Sequence, residues 1–158
     1  MFRGIFETTI DAKGRTSLPA KFREVLVETF GDERFFVTNS APVGLGGDQF
    51  TSGLLLFPYN GWLRFEEGLL NNTDLTSGEK NSVMRRIIAP AVECTADKLG
   101  RILVPPHLRK SAALEREIVF VGQMTKAEIW SLSEYEKVSV QDLKNFPTNS
   151  PVLANLGL

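Results

Sequence analysis

Apolar and polar positions alternate with two periods along this chain, and the order in which those periods appear occurs twice. Residues 2–10 read as an extended segment, after which Asp11-Ala12-Lys13-Gly14 reverses the chain. Glycine at the end of that turn can take a positive backbone angle. Residues 15–18 return as a short strand. Pro19 suits the first turn of a helix in which Phe22, Val25, Leu26 and Phe30 share one face, and Gly31 stops it. Two strands, 35–38 and 54–57, then flank a glycine-rich stretch at 41–53.

The second half follows the same grammar. Residues 91–95 are extended, Asp97 to Gly100 turn, and 101–104 return as a strand. A helix opening at Pro106 runs to about Leu114, followed by strands at 118–121 and 127–130. Ser133 and Glu136 have capping-box spacing and predict a further helix. Between the copies, 60–70 and 76–88 read as helices, the second opening on another possible box, Thr76 with Glu79. The tail after Asn145, with Pro147 and Pro151, reads as irregular.

The residues confirm that this is a repeat. Asp11-Ala12-Lys13-Gly14-Arg15 recurs as Asp97-Lys98-Leu99-Gly100-Arg101, and Pro19, Phe22 and Arg23 correspond to Pro105, Leu108 and Arg109, all at an offset of 86. Farther on, Phe57-Pro58 and Trp62 echo Trp130-Ser131 and Tyr135 at an offset of 73, so the first copy holds about 13 extra residues, best placed at 41–53. The chain divides into a first repeat at 1–70, a helical connector at 71–90, a second repeat at 91–138 and a tail at 139–158. Neither short copy can close a large core alone. The expected solution is a strand-rich α+β fold in which the copies pair as an intrachain pseudo-dimer with interleaved hairpins and peripheral helices.

Composition narrows the function classes. A formal charge of -1 gives no global attraction to a polyanion, but residues 1–25 and 80–126 carry net charges of +2 and +5, separated by an acidic sector at 26–79. Cys94 stands alone, which excludes an intrachain disulfide and a cysteine-cluster metal site and fits a reducing compartment. No apolar signal core and no membrane-length segment is present, so a soluble cytoplasmic protein is expected. No phosphate loop, dinucleotide glycine pattern or His-Glu-x-x-His occurs, and His107, the one histidine, sits at a helix start without ligating partners. An enzyme is therefore not expected, and no cofactor is implied.

Met1-Phe2-Arg3-Gly4, then Ile10 to Arg15, Pro19 and Phe22-Arg23, closely resemble the start of the MraZ family. Ala91, Glu93, Asp97, Gly100-Arg101, Pro105, Leu108-Arg109, Gly122 and Glu128-Ile129-Trp130 resemble its second half, so the likeness spans about residues 1–138. The resemblance implies a tandem AbrB-like swapped-hairpin β-barrel and a homo-oligomeric ring. It further implies regulation of transcription, usually repression, through short direct repeats in promoter DNA upstream of a cell-division and cell-wall gene cluster, with nucleoid association and no membrane partner. The chain departs from the family pattern in the 41–53 insertion, in Pro90, and in Lys126-Ala127 ahead of Glu128, where relatives commonly carry an aromatic residue.

The candidate DNA-binding residues are Arg3, Lys13, Arg15, Lys98 and Arg101. Arg15 presents a planar fork suited to phosphate or to guanine O6 and N7. A hairpin pairing 2–10 with 15–18 would gather Arg3, Lys13 and Arg15, and Lys98 with Arg101 could form a second surface. Asp11, Gly14, Asp97 and Gly100 are expected to brace the two turns, and a competing reading has each arginine serving only as its aspartate's partner. Arg23 and Arg109 are candidate braces for Asp or Glu side chains, and Arg85-Arg86 reads as a helix-surface patch or, equally, as an ordinary solvated face or an intersubunit ion pair. The large aromatics Phe2, Phe22, Phe57, Trp62 and Trp130 are expected to pack in the core or at subunit contacts. The alternative function is an oligomeric protein-binding scaffold without specific DNA recognition.

Overall fold

Strands from the two copies hydrogen-bond to one another instead of closing within each copy. In the computed structural model, which describes residues 1–158, the first copy supplies β1 (Ile5–Thr9), β2 (Arg15–Ser17), α1 (Ala20–Glu28), β3 (Phe35–Asn39), β4 (Val43–Gly46), β5 (Gln49–Thr51), β6 (Leu54–Pro58) and α2 (Tyr59–Asn71). Next, α3 (Ser77–Val83) continues through a wide turn at Met84–Ile88. The second copy supplies β7 (Val92–Cys94), β8 (Arg101–Leu103), α4 (Pro106–Ser111), β9 (Glu117–Gln123), β10 (Lys126–Ser131) and α5 (Leu132–Asn145), and α6 (Pro151–Asn155) lies in the tail.

Six strands form one antiparallel sheet in the order β1-β9-β10-β6-β3-β7. The β9-β10 hairpin of one copy and the β3-β6 pair of the other meet at its centre, and the outer strands are exchanged. β1 pairs with β9 from Ile5↔Val121 to Thr9↔Glu117, while β7 pairs with β3 from Phe35↔Cys94 to Val37↔Val92. β2 and β8 pair only with each other, as a separate two-stranded ribbon. The expected interleaving is thus present, but the hydrogen-bonded ladder is open, ending at β1 and β7 rather than closing into a barrel. The expected hairpin of residues 2–10 with 15–18 is also absent as a ladder. After the turn, β2 gives its backbone edge to β8, and only Thr16 Oγ1, donating to Thr9 O at 2.8 Å, ties it back to β1.

Burial follows the strand alternation. Leu54 and Leu56 of β6, Phe35 and Val37 of β3, Ile118 and Phe120 of β9, and Ala127 and Ile129 of β10 face a single apolar core. The equivalent pairs Leu18 and Val104, Phe22 and Leu108, and Leu26 and Ala112 complete it from the ribbon ends and from α1 and α4. Phe22 lies at the centre, fully buried and edge-on to Phe2 (5.1 Å), Phe6 (5.4 Å) and Phe120 (6.2 Å). On the other face of the sheet, Trp62 of α2 stacks on Phe36 and meets Phe57 and Phe65, and α5 sets Val138 against Val119 and Trp130. The sequence-expected aromatics therefore pack inside the chain.

Local expectations differ at the ends and in the insertion. Residues 41–53 hold the β4-β5 hairpin rather than a plain loop. The box at α3 forms, with Glu79 N donating to Thr76 Oγ1 and Thr76 N donating to Glu79 Oε1. The box expected at Ser133 and Glu136 does not: α5 begins two residues earlier, after Ser131, whose hydroxyl meets that of Ser133 at 3.1 Å. α4 ends at Ser111, ahead of Ala113 at a φ of 50°, and Ser150 caps a short helix in the tail expected to be irregular. Replacing Phe22 with Ala is expected to cost about 3–5 kcal/mol, because the contacts from both copies lose their common partner. Urea unfolding monitored by tryptophan fluorescence checks this; a loss under about 1 kcal/mol contradicts the shared core.

Candidate nucleic-acid interface

Each Asp-x-x-Gly-Arg element builds the same turn. Asp11 Oδ1 accepts from the backbone N–H groups of Lys13 (3.0 Å) and Arg15 (2.9 Å), and its Oδ2 accepts from Arg15 Nε at 2.8 Å. Asp97 repeats this with Leu99 N, Arg101 N and Arg101 Nε. These bonds, above all the backbone donor of the arginine, hold both carboxyls below the ordinary aspartate value of 3.8. Gly14 and Gly100 sit at φ of 88° and 78°, which favours glycine on backbone grounds alone.

The two turns clamp each other. Val104 N donates to Gly14 O at 2.8 Å, and reciprocally Leu18 N donates to Gly100 O at 2.9 Å. A Cβ at Gly14 would strike Val104 O and Arg109, and one at Gly100 would strike Arg23. Arg109 donates to Val104 O (3.0 Å) and Ala12 O (3.1 Å). Arg109 thus braces two backbone carbonyls, one in its own copy and one in the opposite copy's turn, rather than an acidic side chain, and Arg23 lies against the other turn at the equivalent place.

The ribbon alternates strictly. Thr16 and Ile102 point inward, whereas Arg15, Ser17, Arg101 and Leu103 occupy its exposed face. Antiparallel register sets Arg15 opposite Leu103 and Ser17 opposite Arg101. The two arginines are diagonal neighbours, their positions about 7–8 Å apart. Each commits Nε to its aspartate, and neither Nη1 nor Nη2 bonds within the chain. Turn bracing and outward presentation, which competed as readings of the sequence, therefore coexist in one side chain. Lys13 and Lys98 are exposed in the two turns but are not equivalent: the repeat matches Lys13 with Leu99 and Lys98 with Ala12.

Arg3 does not join this group. It lies beside Gly122, near the bridge between Phe2 and Met124, at the end of the β1-β9 ladder away from the turn. It stands eight positions before Asp11, across the length of β1, on the order of 25 Å. The expected convergence of Arg3 with Lys13 and Arg15 is corrected accordingly: β1 runs along β9 instead of folding back on β2. Arg86 is likewise no surface patch, since its Nη2 donates to Ser52 Oγ at 2.7 Å and its carbonyl accepts from Asn39 Nδ2. His107 Nε2 lies 2.9 Å from Pro90 O. Sequence reasoning did not single out Ser17, Leu99 or Leu103, which complete the exposed surface.

A family model described as "MraZ protein, putative antitoxin-like" matches residues 1–42 and 87–151, the stretches that contain both turns and both ribbon strands. The chain belongs to the MraZ family. Relatives within it include the transcriptional regulator MraZ of Geobacter metallireducens, 70% identical over 158 residues and the whole of both chains, and that of Geobacter sulfurreducens, 68% identical over the same span. The transcriptional regulator MraZ of Caldanaerobacter subterraneus is 38% identical over 139 residues, covering 88% of this chain and 87% of its own. Residues 43–86, outside the MraZ match, hold the insertion hairpin, β6, α2 and α3. No helix is long and apolar enough to cross a membrane.

The turns have a pH signature. Because folding lowers the pKa of Asp11 and Asp97, their stabilising bonds are fully present above the unfolded value near 3.8 and are lost as pH falls through the lower folded value. Carboxyl-carbon NMR titration is expected to give both residues midpoints below 3.8. A midpoint at or above that value means that the turn bonds do not persist in solution.

Proposed function

We propose that this chain is a sequence-specific DNA-binding transcriptional regulator that inserts the β2-β8 ribbon into the major groove. The observation that carries the proposal is the placement of Arg15 and Arg101 on one exposed ribbon face, each oriented through Nε by an aspartate with both terminal nitrogens free. A two-stranded ribbon fits the major groove, and an arginine fork matches guanine O6 and N7. Lys13 and Lys98, exposed beside the ribbon, are assigned to phosphates, and the bracing of Asp11, Gly14, Asp97 and Gly100 keeps the arginines in place. Arg3 falls outside this footprint. The name shared by the relatives, transcriptional regulator, supports the same reading.

The finer reading follows from the exchange of β1 and β7, which we take as an AbrB-like swapped-hairpin pairing of a repeat at 1–70 with one at 91–138. A chain that already contains a pseudo-twofold leaves two similar but unequal sides, which join head to tail and close into a ring. Such a ring presents one ribbon per subunit and reads short direct repeats, placed upstream of a cell-division and cell-wall gene cluster; it acts in the cytoplasm, on the nucleoid. A protein-binding scaffold is the competing function, and duplex binding separates the two.

Replacing Arg15 with Ala is expected to weaken binding to a promoter duplex by about 1–3 kcal/mol. Fluorescence anisotropy across a salt series should also show the wild type weakening linearly on a log-log plot as counterions are released. Absence of a saturable duplex complex, or unchanged affinity in a folded R15A, defeats the assignment. Native mass measurement is expected to give a species well above two chains without DNA. Inserting half a helical turn, about 5 base pairs, between the repeats should then reduce affinity sharply. A persistent 17.6 kDa monomer contradicts the ring.

A further inference from the structure

The ribbon face is not symmetric, although the turns that hold it are. Arg15 and Arg101 are equivalent through the repeat, as are Ser17 and Leu103. Register therefore gives Arg15 an apolar cross-strand neighbour, Leu103, and gives Arg101 a hydroxyl, Ser17. Leu103 is 58% exposed, on the open face of the ribbon. Isolated exposed leucines are ordinary on protein surfaces. This one stands on a three-residue strand directly beside an oriented arginine fork, on the face proposed to enter the groove.

We infer that Leu103 is a specificity-determining residue that packs on the C5-methyl group of a thymine one base step from the guanine contacted by Arg15. The inference rests on the DNA-binding reading above. Among the base edges of the major groove, thymine's methyl is the one apolar group larger than a ring C–H, and apolar side chains are its natural partners. The spacing agrees: directly opposed residues of an antiparallel pair have Cβ atoms about 4.5–5.5 Å apart. Successive bases on one strand are separated by about 3.4 Å along the helix axis. An arginine and a leucine so placed reach adjacent base pairs, not the same one and not distant ones. On the other half of the ribbon, Arg101 with Ser17 offers hydrogen bonding where Arg15 with Leu103 offers an apolar contact. One ribbon then reads an oriented, non-palindromic element despite its pseudo-twofold backbone.

The test uses the full chain and duplexes enriched by it from a randomised pool. In an enriched duplex, each thymine is replaced singly by uracil, which removes the methyl and leaves every hydrogen-bonding group. Wild-type protein is expected to lose about fourfold in affinity at one thymine, the worth of one buried methyl-sized group. That thymine neighbours the guanine whose replacement by 7-deazaguanine or adenine, which alter the major-groove acceptors, no longer matters in R15A. In Leu103→Ser, which leaves an exposed site and should melt like wild type, thymine and uracil duplexes should bind alike while the Arg15-dependent guanine preference remains. Ser17→Leu is expected to create a second methyl-sensitive position beside the Arg101 guanine. Equal binding of thymine and uracil duplexes by wild type, or methyl sensitivity surviving in L103S, overturns the inference alone. Failure of the pool to enrich any duplex overturns it together with the DNA-binding reading.

Discussion

Two reciprocal hydrogen bonds, Val104 N to Gly14 O and Leu18 N to Gly100 O, tie each copy's turn to the other copy's strand end, and much of the molecule follows from where they put the chain. They require the glycines to turn at positive φ with their carbonyls aimed across the pseudo-twofold, a place where a side chain would collide with the partner copy. With both carbonyls engaged, β2 and β8 lie side by side, Thr16 and Ile102 turn inward, and Leu18 and Val104 are delivered to the core. Pro19 and Pro105 follow at once and start α1 and α4, whose Phe22 and Leu108 fill that core from opposite sides. Ribbon, helix starts and core are thus consequences of one clamp made twice.

The arginine-aspartate pairs gain their meaning from this arrangement. Both partners of each pair are nearly half exposed, and pairs of that kind contribute little to stability because water screens them. Their value is orientation. An arginine held at Nε has lost much of its rotamer freedom before any ligand arrives, so less entropy is lost when its terminal nitrogens bind. A lysine at position 15 or 101 could not serve both ends in this way, having a single charged nitrogen rather than a fork.

The duplication was legible because an offset of 86 preserves residues with backbone roles: an aspartate that accepts turn bonds, a glycine at positive φ, a proline that starts a helix. Which copy each first strand joins was not legible in detail, since β1 and β7 carry the same alternation whether they fold back on their own copy or cross to the other. That ambiguity is what misplaced Arg3. Local chemistry read alone also missed the β4-β5 hairpin, because Gly44, Gly46 and Gly47 interrupt the alternation of Val43, Leu45 and Phe50 and make the insertion look like a loop. The capping pattern at Ser133 competed with Ser131, and the earlier serine stands before the helix because β10 ends there.

Under the proposed function, charge makes a single ribbon a modest ligand for DNA. Each arginine on the exposed face is paired with an aspartate a few ångströms away, so the turn elements carry much less uncompensated charge than their arginines suggest, and Lys13 and Lys98 supply the remainder. An acidic sector in the first copy and a formal charge of -1 give no long-range field to make up the difference. Under the proposed function, affinity then has to come from several ribbons engaging one duplex, where each further contact benefits from a high effective concentration once the first is made. Weak, oriented elements held in multiple copies favour DNA that repeats the same short element in one direction. A ribbon whose two halves differ at Ser17 and Leu103 has no reason to prefer an inverted pair.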